Sequence, residues 1–340
     1  MNFYEWFFLQ KDRTPEGMFS FAHIFSVSIT LTIFILGAYL LGKKYKDNEK
    51  GQFWTLLISG IAIDLVFIIK MIYLLWDTDN VFRSIIGNAP LYLCDMQIFI
   101  IPLAALTKGR FRNWCLDFVA IWGLLMGFLG TYFAGNIYYG NTAICFFSVI
   151  SLLNHAISAF AAFFIFMCKL NKMEKRDIPF TIAILLVFMT TALVIDYVDN
   201  HNFMFFFHGD GTPFVLFDKL VNEIKPLYQI EIYILQAGYM VGFYFVYYWV
   251  MSLIRKTKEK NSGLEFDNSE LVNKVAILNW LSLGLLGLAL VILLIGTVIP
   301  IPNGQIVGII LKLTATVMGL ASLALLIVRD FKYRVKLNTL

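Results

Sequence analysis

Several residues able to do chemistry stand inside stretches that otherwise read as lipid-facing. The segment PLYLCDMQIF, Pro90 to Phe99, sets a thiol beside a carboxylate, Cys94 and Asp95, while Asp64 and His155 fall within two other apolar runs. Thiol, imidazole and carboxylate are the groups of nucleophilic and proton-transfer chemistry. An ionisable group at membrane depth costs roughly 2.5–3.5 kcal/mol on insertion scales, so such groups usually face a bundle interior or a wet cavity. Spacing adds a second signal. Asp64 lies 14 residues from Lys50, Cys94 14 from Lys108 and His155 14 from Lys169. At a helical rise of 1.5 Å per residue all three are expected ~21 Å from the basic boundary, in the far half of the membrane, and a boundary error of one turn moves each by only ~5 Å. His23, 20 residues from Lys43, is expected higher, at the outer mouth. Asp95 and Asn154 adjoin the layer but point about 100° away from their neighbours.

Each residue also has a plain structural reading. A cysteine in a membrane helix serves as a small hydrophobe, and a histidine as an interhelical hydrogen-bond donor. Lys70 and Lys312 lie near the outer surface and can extend their ammonium groups to it. Asp64 is short and deep, so it must be protonated or partnered, for example by His155 or Lys312.

The elements that must hold these residues follow from composition. Of 340 residues 59% are hydrophobic and 15% charged, with a mean hydropathy of +0.74, against about half apolar and a quarter charged in soluble domains. An all-α, polytopic membrane bundle is expected, since each apolar run is about the 20 residues that cross ~30 Å of hydrocarbon. Nine runs are expected to span: Phe21 to Leu41, Phe53 to Trp76, Pro90 to Thr107, Trp114 to Ala134, Phe146 to Cys168, Ile178 to Ile195, Leu227 to Ile254, Val275 to Val298 and Gln305 to Val328. No basic, apolar and small-residue sequence of a cleaved signal peptide is seen. The connections KKYKDNEK, KGRFR, KLNKMEKR and RKTKEK, with Lys274 and the tail RDFKYRVK, hold 20 of the 27 Lys and Arg residues and are every second connection. The positive-inside rule then sets the N-terminus outside and the C-terminus in the cytoplasm of a plasma-membrane protein. The net charge of +4 is accounted for by topology and calls for no nucleic acid.

Cys94, Cys115, Cys145 and Cys168 show no metal-ligand or disulfide spacing, and no phosphate-binding glycine loop is present; no metal or cofactor is expected. The long connection from Asp196 to Pro226 contains the turn-rich HGDGTP, and Phe214 to Ile224 suits a short interfacial helix. It would cap an outward-facing cavity or set its phenylalanines at headgroup level.

PLYLCDMQIFIIPLAALTKGR resembles the LPLHLCD segment of the YwaF-like family of bacterial integral membrane proteins. FSFAHIF is similar to that family's early histidine (His23), LLNHAI to its SHG helix and NFMF, beginning at Asn202, to its NYMF segment. The resemblance spans about residues 20–254, a core followed by two further helices over 275–328 in a single membrane domain. Tyr92 replaces the family's usual histidine, and Ala156 its glycine. The family is distantly similar to a eukaryotic transmembrane Cys/His lipid acyltransferase, and more remotely to androgen-induced lipid hydrolases with a Thr/His pair. The resemblance implies Cys94 as nucleophile and His155 as base, with membrane lipids as substrate and Asp64, Asp95, His23, Tyr92, Asn154 and Asn202 in supporting or substrate-binding positions. A thiol in an apolar site needs such a base, and Asp64 would orient the imidazole. A lipid acyltransferase or acyl hydrolase is the leading expectation. The alternatives are a scaffold or a transporter, the latter resting on the intramembrane charges and on Gly123, Gly127 and Gly130, which permit close packing and movement.

Overall fold

The computed structural model describes residues 2–76, 78, 80–171, 173–209 and 225–261, with isolated positions between 278 and 325. The last two expected spans, Lys312 and the interfacial helix expected over Phe214 to Ile224 lie outside the continuous stretches. Every regular element among the described residues is helical. In chain order these are α1 (Phe3–Phe7), α2 (Phe21–Tyr45), α3 (Glu49–Trp76), α4 (Val81–Gly87), α5 (Gln97–Leu106), α6 (Gly109–Tyr132), α7 (Gly135–Tyr138), α8 (Phe146–Cys168), α9 (Ile178–Asp199) and α10 (Lys225–Asn261). The chain divides into two compact units, Met1–Met240 and Val241–Leu340. In the second, the described residues are the end of α10 and isolated helical positions.

Six helices among the described residues are long and apolar enough to cross a membrane: Phe21–Tyr45, Glu49–Trp76, Gly109–Tyr138, Phe146–Cys168, Lys175–Asp199 and Tyr228–Ser252. Their ends follow local chemistry. The Ser20 side chain accepts from the His23 N–H to start α2, and Lys43 and Lys44 occupy its last turn, where cations meet the negative end of the helix dipole. α8 stops at Lys169, which takes the left-handed conformation.

α8 is the hub. In its most apolar window 67% of residues are buried, against 17% for α2 and 28% for α3, whose remaining apolar side chains face outward to lipid. α8 packs on α6, α2 and α3. Its face of small residues, Ser158, Ala159 and Ala162, meets a glycine row on α6: a Cβ added at Gly123 would strike the Ser158 carbonyl and Ala162, and one at Gly127 would strike Ala159. Only glycine permits backbones this close, the usual solution where lipid supplies no hydrophobic drive to association. These glycines are therefore committed to seating α8.

The third apolar run departs from expectation. It contains only the 10-residue α5, ~15 Å long and half the depth of the hydrocarbon, and Pro90–Met96 forms tight turns instead of helix. The Asp95 N–H donates to the Tyr92 carbonyl at 2.9 Å and Ile98 N–H to Asp95 at 3.0 Å, both three residues back. The stretch is apolar because protein surrounds it: Leu91, Leu93 and Met96 are buried. Composition cannot distinguish this from a lipid-facing helix. Pro102 inside α5 fits because its ring lies against Gly60 of α3, where a Cβ would collide with it.

A segment preceding α2 straps the end of the bundle at which α2 begins. The Gln10 amide donates to Asn141 Oδ1 at 2.8 Å and its oxygen accepts from the Thr142 N–H at 2.7 Å. Glu16 accepts from the Ala143 N–H at 2.8 Å, and Phe8 stacks on Phe146.

Candidate functional site

Non-helical backbone within an apolar stretch is tolerated where protein buries it or a cavity is lined by it, and protein buries the Pro90–Met96 turns. They present Cys94, half-buried, and Asp95, buried. Cys94 Sγ lies 3.8 Å from Asp95 Oδ1, a long contact even for sulfur. The same carboxylate oxygen accepts from Asn154 Nδ2 at 2.6 Å, a short, charge-assisted bond that ties the turn to α8. His155 follows Asn154 on α8 but points about 100° away from it, and Cys94 and His155 share no hydrogen bond among the described residues.

The hydrogen bonding of His155 decides its tautomer. Its Nδ1 lies 2.7 Å from the Ser151 carbonyl, which can only accept, so Nδ1 carries the hydrogen. In the neutral ring Nε2 then presents a lone pair, and it makes no hydrogen bond among the described residues. Nε2 faces α6, where a Cβ on Gly130 would overlap it. Gly130 is thus the third member of the glycine row and the one that makes room for the imidazole.

His23 is arranged the opposite way. Its Nδ1 accepts from the Phe19 N–H at 2.9 Å and its Nε2–H donates to the Thr131 carbonyl at 3.0 Å, with Tyr138 against the ring at 4.0 Å. Both nitrogens are used, Nε2 in joining α2 to α6 and Nδ1 in holding the chain just before α2, which gives His23 a structural role. Asp64 makes no hydrogen bond to His155: its Oδ1 has no hydrogen-bond partner among the described residues and the imidazole Nδ1 is held by the Ser151 carbonyl instead, while Asp95 is the acid beside Cys94.

Tyr92 and Asn202 belong to a cover. The Tyr92 ring meets Phe203 at 5.2 Å and Phe205 at 5.6 Å. Asn200, Met204 and Phe205 all hold left-handed backbone, which costs free energy for non-glycine residues unless the surroundings enforce it. Asp196 enforces it from below, accepting from the Phe203 N–H at 2.7 Å. Asn202 does so from within, accepting from Phe207 N–H at 2.8 Å and donating to the His208 carbonyl at 2.8 Å. Phe203 and Phe206 are buried in the protein, whereas Phe205 and Phe207 are half-buried. Sequence reasoning missed Asp196 and Gly130; the spacing of Gly123, Gly127 and Gly130 on one helix face was the available signal for the latter.

The family model matches residues 18–249, from just before α2 into α10. The chain belongs to the TMEM164 family. The TMEM164 match contains all the residues described above, from His23 to Asn202, and leaves out α1. It makes the protein a multi-pass membrane protein, in keeping with the six apolar helices. No curated protein and no solved structure matches the chain.

Proposed function

We propose that this protein is a lipid acyltransferase or acyl hydrolase embedded in the plasma membrane, with Cys94 as nucleophile and His155 as general base. One observation carries the reading: the Asp95–Asn154 bond joins a non-helical, cysteine-bearing turn to the helix whose His155 keeps Nε2 as a lone pair. The likeness of PLYLCDMQIF and LLNHAI to the Cys/His acyltransferase pattern adds support.

In this mechanism an acyl ester enters laterally from lipid. His155 Nε2 takes the thiol proton as Sγ bonds to the ester carbonyl carbon. The ester C–O bond breaks, and the proton passes to the departing alkoxide, leaving a lysolipid and a Cys94 thioester. Asp95 stabilises the transient imidazolium, as the acid of a triad does. A lipid hydroxyl, deprotonated by His155, then takes the acyl group and restores the thiol; water in its place gives hydrolysis. The reading requires Cys94 to close on His155 Nε2 when substrate binds, as catalytic hydrogen bonds of unliganded sites tighten in the complex.

The topology belongs to the same proposal: nine crossings, with the basic connections cytoplasmic and the N-terminus outside. The sorting of Lys and Arg into alternate connections supports it; the third crossing would be made by α5 together with the Pro90–Met96 turns, since α5 alone is too short.

The test uses purified protein reconstituted with phospholipids carrying a traceable acyl chain. Wild type should form a hydroxylamine-sensitive acyl adduct on Cys94 and transfer the chain. Cys94→Ser and His155→Gln should each lose transfer by orders of magnitude with little change in stability, and the double variant should be little worse than either, since residues acting as a unit are non-additive. Wild-type transfer by purified Cys94→Ser would end the catalytic assignment.

A further inference from the structure

Away from this site, a cavity of about 660 Å³ opens between α2 and α3, with Ile157 and Phe160 of α8 as its floor. It exists because α2 and α3 each pack on α8 but meet each other only sparsely. Its volume lies in the ~300–1,000 Å³ range of ligand sites. Its upper wall is apolar, Ile33, Phe34, Ile58 and Ala62. The two hydroxyls on that wall make no demand on an occupant, because Thr55 donates to the Gly51 carbonyl and Ser59 to the Thr55 carbonyl, both at 2.8 Å.

The polar lining is confined to one end, at Tyr45, Asn48 and Lys50. There the α2–α3 connection is held rigid: Asn48 caps Gly51 at 2.9 Å, and the Gln52 amide donates to the Tyr45 and Lys46 carbonyls. Lys43, Lys44, Lys46 and Lys50 surround this end, against Asp47 and Glu49. Lys44 lies over the Tyr45 ring at 5.3 Å. None of the four lysines is in an ion pair among the described residues.

From Lys50 to Ala62 the groove runs ~18 Å along α3, about the depth of one leaflet of a ~30 Å hydrocarbon core. An apolar trough one leaflet deep with a cationic mouth matches one occupant in length and charge. We infer that this groove binds an anionic phospholipid of the adjoining leaflet, one acyl chain lying along Ile33, Ile58 and Phe160 and the phosphate at Lys44 and Lys50. This site is separate from the Cys94 turn and does not depend on acyl transfer.

Trp54 lines the groove and reports on it. Full-length protein is reconstituted in phosphatidylcholine vesicles with a minor fraction of brominated lipid, either phosphatidylglycerol or phosphatidylcholine, and the Trp54 component is isolated by difference from Trp54→Phe. Brominated phosphatidylglycerol should quench it at several-fold lower fraction. Lys44→Gln and Lys50→Gln should each reduce that preference about fivefold, as expected for about one screened headgroup contact per lysine. Gly37→Leu should block quenching by either lipid, since a Cβ there meets only the Phe160 ring at 3.6 Å and the larger side chain fills the trough; Ala62→Leu provides the same block from α3. Equal quenching by both lipids, lysine variants with unchanged preference, blocked variants that still quench, or a groove shielded by a second copy in cross-linking would each overturn the inference.

Discussion

Gly130→Ala tests the site through a residue that has no chemistry of its own. The added methyl would overlap His155 at Nε2 and Cδ2, and backbone on α6 cannot retreat easily while Gly123 and Gly127 lock it to α8. The cheaper response is rotation of the imidazole, which breaks the Nδ1–Ser151 bond and moves Nε2 from its position against α6. Overpacking of this kind costs about 1–3 kcal/mol, and a lost neutral hydrogen bond about 0.5–1.5 kcal/mol. Removal of a positioned base costs roughly 10²–10⁴-fold in rate. Gly127→Ala is the matched control: its methyl would strike Ala159, one turn from His155, and should cost similar stability while sparing most activity. Acyl transfer in vesicles and thermal unfolding of the same preparations give both quantities, and carbethoxylation of His155 reports its exposure independently. Full activity in Gly130→Ala, or equal inactivation by Gly127→Ala, would refute the reasoning.

Asp95→Asn keeps an acceptor for Asn154 but removes the charge, so transfer should fall roughly 10- to 100-fold with stability nearly unchanged, whereas Asp95→Ala strands a buried amide and should cost about 1–3 kcal/mol in unfolding measurements. Asn202→Ala removes the bonds to residues 207 and 208 and should release the cover, read as faster proteolytic cutting near Met204 with the helical circular dichroism intact. A cysteine placed at Asn303 in the protein's membrane should react with an impermeant thiol reagent from outside and one at Asn261 should not; the opposite labelling would reverse the proposed orientation.

The long helices were legible because length and apolarity alone decide whether a segment crosses a bilayer, and α2, α3, α8 and α9 fall close to the expected runs. The Pro90–Met96 turns were not, since a stretch buried in protein is as apolar as one buried in lipid, and counting depth to Cys94 assumed continuous helix where the chain is folded into tight turns. The pairing of Asp95 with Asn154 was hidden for a related reason. Both residues were expected to point away from the layer, but a turn has no 100° periodicity to obey. Histidines cannot be told apart by residue type: His23 and His155 differ only in what their two nitrogens meet, a Phe19 amide and a Thr131 carbonyl in one case and a single Ser151 carbonyl in the other.

A helix of ten residues cannot partition into a bilayer as an autonomous unit, because its ends would leave backbone groups unsatisfied in hydrocarbon. α5 therefore depends on its neighbours: it packs on α3, which precedes it in the chain, and on α6, which follows it. The turns before α5 gain their hydrogen bond to α8 only once Asn154 has been made, so a contact between residues 59 positions apart fixes the Cys94 turn late in synthesis, after α3, α5 and α6 are already in place.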